Sequence, residues 1–213
     1  MTAPRRFGTE DSKTRPVLLD AAARLMRDEG YAAVTSRRVA VKAGVKPALV
    51  HYYFRTMDDL FLALFRRGAE ANLARLRHAL ASPQPLHALW EINSEPQGAA
   101  LMIEFMALAN HRKAIRAEIA AYSEQFRAAE QEAVARALRR SGVDAEAVSP
   151  AAVTVLMASV PRIIVMENTL GFTAGHDEAI ALVEGQLRRL EPGPAQPSPG
   201  SYPGGTAEAG SSS

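Results

Sequence analysis

From Thr35 to Leu60 the chain reads TSRRVAVKAGVKPALVHYYFRTMDDL. Thr35 carries a hydroxyl that can accept from the first N–H groups of a helix, and Arg37 to Ala43 supplies two helical turns behind it. Gly44 follows, with the permissive backbone that a tight interhelical turn needs. Pro47 stands where a second helix begins, a position whose N–H would have no intrahelical partner anyway. Val39, Ala40 and Val45 are small and apolar, so the two helices can cross closely and hold the second as a rigid probe. The open side of that probe offers Lys46, Pro47, Ala48, Leu49, His51 and Tyr52. The pattern predicts a helix-turn-helix of the kind that lays its second helix in the major groove of duplex DNA.

Outward from this stretch the chain is punctuated as a run of helices, with no convincing strand. A first helix is expected from about residue 12 or 13 to Glu29, with Leu18, Ala22 and Leu25 on one face and Gly30 ending it in the left-handed region. Thr56 caps a fourth helix that has Asp58 and Asp59 in its first turn and runs to about Ala81. Pro, Gly and Asn then separate five more, over about 86–93, 96–110, 112–141, 149–170 and 176–190. The helix after Ser149 is apolar nearly all round and must be covered on several sides, and Pro161 is expected to kink it. The predicted fold is all-α, with about nine helices. Residues 1–12 are read as a flexible basic arm, 13–60 as the DNA-binding domain, 61–190 as a regulatory and dimerisation domain, and 191–213 as a disordered tail rich in Pro, Gly and Ser.

Composition narrows the classes. The 213 residues are 47% apolar, enough for a sizeable core. There is no cysteine, which excludes disulfides, thiolate metal sites and thiol catalysis. His78, His87, His111 and His176 show no ligand spacing, so no metal and no cofactor is expected. Neither a Gly-rich phosphate loop nor a Gly-x-Ser-x-Gly elbow occurs, and an enzyme is not expected. No run approaching the ~20 apolar residues of a bilayer crossing is expected, nor an apolar signal core, so the reading is cytoplasmic with no membrane partner. The net charge of +2 is unevenly spread: residues 1–60 carry 11 Lys/Arg against 7 Asp/Glu, and the remainder carries 14 against 16. The basic side is the side of the helix-turn-helix, where positive potential attracts phosphate.

Over Leu18–Leu60 the chain resembles the TetR family of bacterial transcriptional regulators. The residues that carry the resemblance are Leu18-Leu19-Asp20-Ala21-Ala22-Ala23-Arg24-Leu25, Gly30-Tyr31, Thr35, Val39-Ala40, Ala43-Gly44-Val45, Tyr53-Phe54 and Leu60. The resemblance implies a three-helix DNA-binding domain and a larger helical domain that dimerises through its last two helices and holds a ligand pocket. By position it implies that Thr35 and Tyr53 contact phosphate, that Arg37 and residues 46–52 face the major groove, and that Phe54 packs beneath. The chain departs from the family where Lys46 replaces a capping Ser, where Ala48 and His51 replace Gly and Tyr, and where Met57 replaces a phosphate-binding Lys. Arg55 can stand in for that last contact.

On chemical grounds Arg37 can donate two hydrogen bonds to a guanine edge, Ala48 and Leu49 can meet thymine methyls, and Lys46 and Arg55 can neutralise phosphates. His51 can donate or accept at a base edge while neutral and adds charge when protonated. Trp90, Met102, Phe105, Met106, Tyr122, Phe126 and Met157 are candidates to line an effector cavity, with Arg162 as the candidate for an anionic head group. Ile163 and Met166, together with the stripe Ile180, Val183, Leu187 and Leu190, are candidates for a dimer interface. The expected function is a homodimeric repressor, released from a pseudo-palindromic duplex DNA operator by a small hydrophobic or amphipathic effector. The alternatives are a constitutive or protein-controlled DNA-binding regulator and a helical enzyme.

Overall fold

The computed structural model describes residues 13–143 and 148–192, so the expected arm and all but the first two residues of the expected tail lie outside the described residues. Among the described residues the secondary structure is helical, with no strand. The helices are α1 (Thr14–Glu29), α2 (Ser36–Ala43), α3 (Pro47–Tyr53), α4 (Met57–Leu80), α5 (Pro85–Asn93), α6 (Pro96–Ala109), α7 (Lys113–Arg140), α8 (Pro150–Thr169) and α9 (His176–Leu190), with a 3-10 turn at Tyr31–Ala33.

The starts follow the local chemistry. Thr35 accepts from the Arg38 N–H, and Ser149 accepts from Ala152. Thr56 and Asp59 exchange hydrogen bonds with each other's backbone at 3.1 and 2.9 Å, a reciprocal capping box that starts α4. Proline opens α3, α5, α6 and α8. Gly44 ends α2 in the left-handed region (φ 68°, ψ 30°), as expected.

Gly30 does not. Its φ is 82° but its ψ is 164°, an extended mirror-image conformation open to almost nothing but glycine. A Cβ there would stand 3.4 Å from Glu104 Oε2, which accepts the Tyr31 N–H at 2.7 Å. The turn after α1 is therefore shaped by a tertiary contact from α6 rather than by a simple helix cap.

Two apolar cores stack along the molecule. The first joins α1–α3 to the first half of α4, to α6 and to the start of α7, through Leu18, Leu25, Val39, Val50, Phe61, Phe65, Phe105 and Ile115. The second joins the end of α4 to α5, α7, α8 and α9, through Leu76, Leu86, Leu89, Trp90, Val134, Leu138, Met157 and Leu187. α4 crosses both, so the helix-turn-helix and the C-terminal bundle share a continuous 24-residue helix.

Four expectations change. Leu187 is buried, and Ile180, Val183 and Leu190 pack on the second core, so this stripe closes the protomer on itself. The physical reason is that the core between α5 and α7 would otherwise open to water at that end. α8 packs on α5, α6, α7 and α9 yet leaves Val155, Leu156, Ile163, Met166 and Leu170 exposed, so it is covered on one side only. Pro161, where the kink is expected, lies inside this helix and is buried. At 20 residues α8 is, by length and composition, apolar enough to cross a bilayer, contrary to the expectation of no such run, although it carries Arg162 and Glu167. Finally, Glu191 is not the start of a loose tail. It is 5% exposed, and its carboxylate accepts from the Leu86 and His87 N–H groups at 2.9–3.2 Å, capping α5 from the far end of the chain.

Candidate nucleic-acid interface and ligand cavity

The probe helix is built as its sequence dictates. Val50 points inward and is buried, as is Phe54 immediately after the helix, while Lys46, Pro47, Ala48, Leu49, His51 and Tyr52 are exposed on the other side. Lys46 makes no side-chain cap, so its ammonium is not committed to the helix start. Tyr52 and Tyr53 meet edge to face with centroids 5.2 Å apart, which restrains both rings. Arg37 and Arg55 are exposed at the two ends of this surface.

The support beneath is apolar and ionic. Arg15 stacks over the Phe54 ring with its guanidinium carbon 5.4 Å from the centroid. Arg38 pairs with Glu29 and holds its carboxyl below the usual carboxylate range, while Lys42 lies 3.8 Å from Asp28. These pairs tie α2 to the end of α1, leaving Arg37 on the open side.

A cavity of about 340 Å³ lies below this domain, between the end of α1, the middle of α4, the end of α5, and α6, α7 and α8. Of the candidate effector residues, Met102, Phe105, Tyr122, Phe126 and Arg162 line it. Trp90 and Met157 belong instead to the second core, and Met106 is exposed on the outer face of α6, so these three do not reach it. Phe65 stacks edge to face on both Phe105 and Tyr122, at 5.2 and 5.6 Å, forming the aromatic wall.

The polar lining is richer than the sequence reading allowed. Asn72 donates to the Tyr122 hydroxyl, and Asn93 donates to Glu130 Oε1 at 2.8 Å. Glu130 is 2% exposed, and burial pushes its carboxyl above the usual range. Burial likewise raises Tyr122, and burial followed by the neighbouring Arg127 guanidinium lowers Arg162. Nothing in the sequence separated Glu130, Asn93, Asn72 or Arg127 from the polar faces of ordinary amphipathic helices.

The helix-turn-helix domain meets the bundle at three places. Arg27, on the last turn of α1, lines the cavity. Glu104 of α6 holds the Tyr31 N–H, between α1 and α2. Arg112, just before α7, donates to Asp58 at 2.6 Å in the first turn of α4. Lower down, Arg66 forms a two-point pair with Glu118, both bonds 2.8 Å, locking α4 to α7.

A helix-turn-helix with an exposed basic and aromatic probe, seated on a helical bundle with a cavity, is the arrangement expected of a small DNA-binding regulator. Residues 18–64 match the family described as bacterial regulatory proteins, tetR family. The chain is 29% identical to the HTH-type transcriptional regulator BetI of Rhizobium meliloti (strain 1021), over 53% of this chain and 60% of that protein, so it spans less than two thirds of the length of this relative.

The fold is shared across most of the chain. A transcriptional regulator from Saccharomonospora viridis in complex with choline superposes with a TM-score of 0.69 at 19% identity, over 83% of this chain and 96% of that one. The fatty acid degradation regulator FadR from Bacillus halodurans gives a TM-score of 0.65 at 16% identity, over 89% and 100%.

Proposed function

We propose that the protein is a cytoplasmic, ligand-responsive repressor that binds a pseudo-palindromic operator as a homodimer. The observation that carries the reading is the exposed face of α3, with Lys46, Ala48, Leu49, His51 and Tyr52 outward and Val50 and Phe54 locked beneath. Arg37 and Tyr52 read base edges from this face, while Thr35, Lys46, Tyr53 and Arg55 meet phosphates. A second copy doubles the modest positive charge and supplies the second half-site, ~34–36 Å away.

The dimer forms through the outer face of α8. Val155, Ile163, Met166 and Leu170 recur there at helical spacing, with Leu156 beside them and Leu182 of α9 alongside, all apolar and at least 47% exposed in the protomer. Of the interface candidates, Ile163 and Met166 serve this role, and the inward stripe of α9 supports it from below.

The effector enters the cavity between α4, α6, α7 and α8. Bound there, it favours positions of α4 and α6 that move the two α3 helices out of register with the operator. A tenfold loss of DNA affinity requires ~1.4 kcal/mol of differential binding between the two states. The cavity itself favours this reading over a regulator without a small ligand.

The test is selection of bound sequences from a randomised duplex library by the purified full chain, followed by sedimentation of the enriched duplex with protein. The expected result is an inverted repeat bound by two protomers. Enrichment of no motif would overturn the reading.

A further inference from the structure

The charges around the cavity do not balance. Guanidiniums from Arg27, Arg75, Arg127 and Arg162 line it against only two carboxylates, Glu95 and Glu130. Glu95 is engaged at the start of α6, where its oxygens accept from the Gln97 and Gly98 N–H groups at 2.9 and 2.6 Å. Glu130 is buried, accepts from Asn93, and is shifted by burial toward its neutral form. Arg75 donates to Asn72 Oδ1.

Arg127 and Arg162 are left without an equal counter-charge. Among the described residues neither takes part in an ion pair. One terminal nitrogen of Arg127 is shielded from water with no hydrogen-bond partner. The two guanidiniums are near enough to perturb each other, and both feel the one carboxyl of Glu130. Both side chains are half-buried; a shielded donor left unmet is costly, and a planar anion satisfies two guanidinium donors at once through paired N–H···O bonds. Phe105, Phe126 and Met102 line the same cavity and supply it with apolar surface.

We propose that the cavity binds a small carboxylic acid with an aromatic or branched apolar body, its carboxylate held between Arg127 and Arg162 and its body against Phe105 and Phe126. This rests on the cavity being the effector site. A quaternary ammonium such as choline would meet an excess of positive charge here, so the ligand expected differs in charge from the choline bound in the neighbour of shared fold.

The experiment is calorimetric titration of the full chain with 3-phenylpropionate, 3-phenylpropionamide and choline, repeated with Arg127→Met and Arg162→Met. The acid is expected to bind at least tenfold more tightly than the amide, with the preference erased in each variant. Equal binding of acid and amide, tighter binding of choline, or no binding of the acid overturns the proposal. Should a variant lose its helical circular dichroism, the acid-to-amide ratio of the wild type still decides. Duplex selection without any ligand tests the regulator reading separately, so a failed acid preference with an enriched motif removes this inference alone.

Discussion

Glu130 illustrates how one residue changes meaning once its surroundings are known. In sequence it is one of several glutamates on a long charged helix; in the fold it is buried against Asn93 and two guanidiniums. Its folded-state pKa is raised mainly by burial, so the folded protein favours the protonated form. Its contribution to stability is then fully present below the unfolded carboxyl range and is lost as pH rises through the folded value. Glu130→Gln, which keeps the volume and an acceptor for Asn93, should raise the denaturation midpoint at about pH 8, and the gain should vanish by about pH 3, below the unfolded carboxyl range, where the glutamate is neutral in both states. A constant difference across that range, measured by urea unfolding, would contradict the assigned cause. The sequence could not have marked this site, because the i, i+4 pattern of α7 fits a solvated face equally well. Arg162 was legible, because a cation in so apolar a helix stands out.

At the scale of elements, the helix boundaries were read to within a residue or two because Pro47, Pro85, Pro96 and Pro150, with Thr35 and Thr56, write the starts chemically. What an amphipathic stripe faces was not legible. α9 shows the same pattern whether it meets a second copy or its own core, and only the position of Leu86, Leu89 and Leu138 decides for the core. Glu191 was hidden because a tail-like composition begins beside it. Its carboxylate caps α5 over a separation of 105 residues, so Glu191→Ala leaves buried N–H groups unpaired and should cost about 1–3 kcal/mol by chemical denaturation. No measurable loss would mean that the cap is replaced by water. Glu104 is the corresponding strut between bundle and probe. Glu104→Leu should cost ~1–3 kcal/mol in the same assay and should weaken the response of DNA binding to a cavity ligand. A response of undiminished size would show that coupling runs through α4 alone.

For the whole molecule, the exposed apolar face of α8 is the feature a lone protomer least explains. Leu156 is 62% exposed and Leu182 66%, and they lie on the last two helices beside Ile163 and Met166. Leu156→Glu combined with Ile163→Glu places two charges on that face without touching either core. Sedimentation should show the wild type as a dimer and the double variant as a monomer with unchanged helix content. A dimer of undiminished strength would assign the interface elsewhere. The same face explains why α8 passes a length-and-composition criterion for bilayer crossing, since a helix awaiting a protein partner and one awaiting lipid are both apolar outside.

Reading of a DNA sequence by α3, with Arg37 beside it, is the heart of the proposed function. It is tested most directly by anisotropy titration of one enriched duplex and a scrambled duplex of equal length, at near-physiological salt, with the wild type, Arg37→Ala and Tyr52→Ala. The expected result is a wild-type preference of at least ~10³ for the enriched duplex, reduced by roughly tenfold or more in each variant while residual, salt-sensitive binding to both duplexes persists. Equal affinity of the wild type for the two duplexes, or a preference untouched by both substitutions, would contradict it.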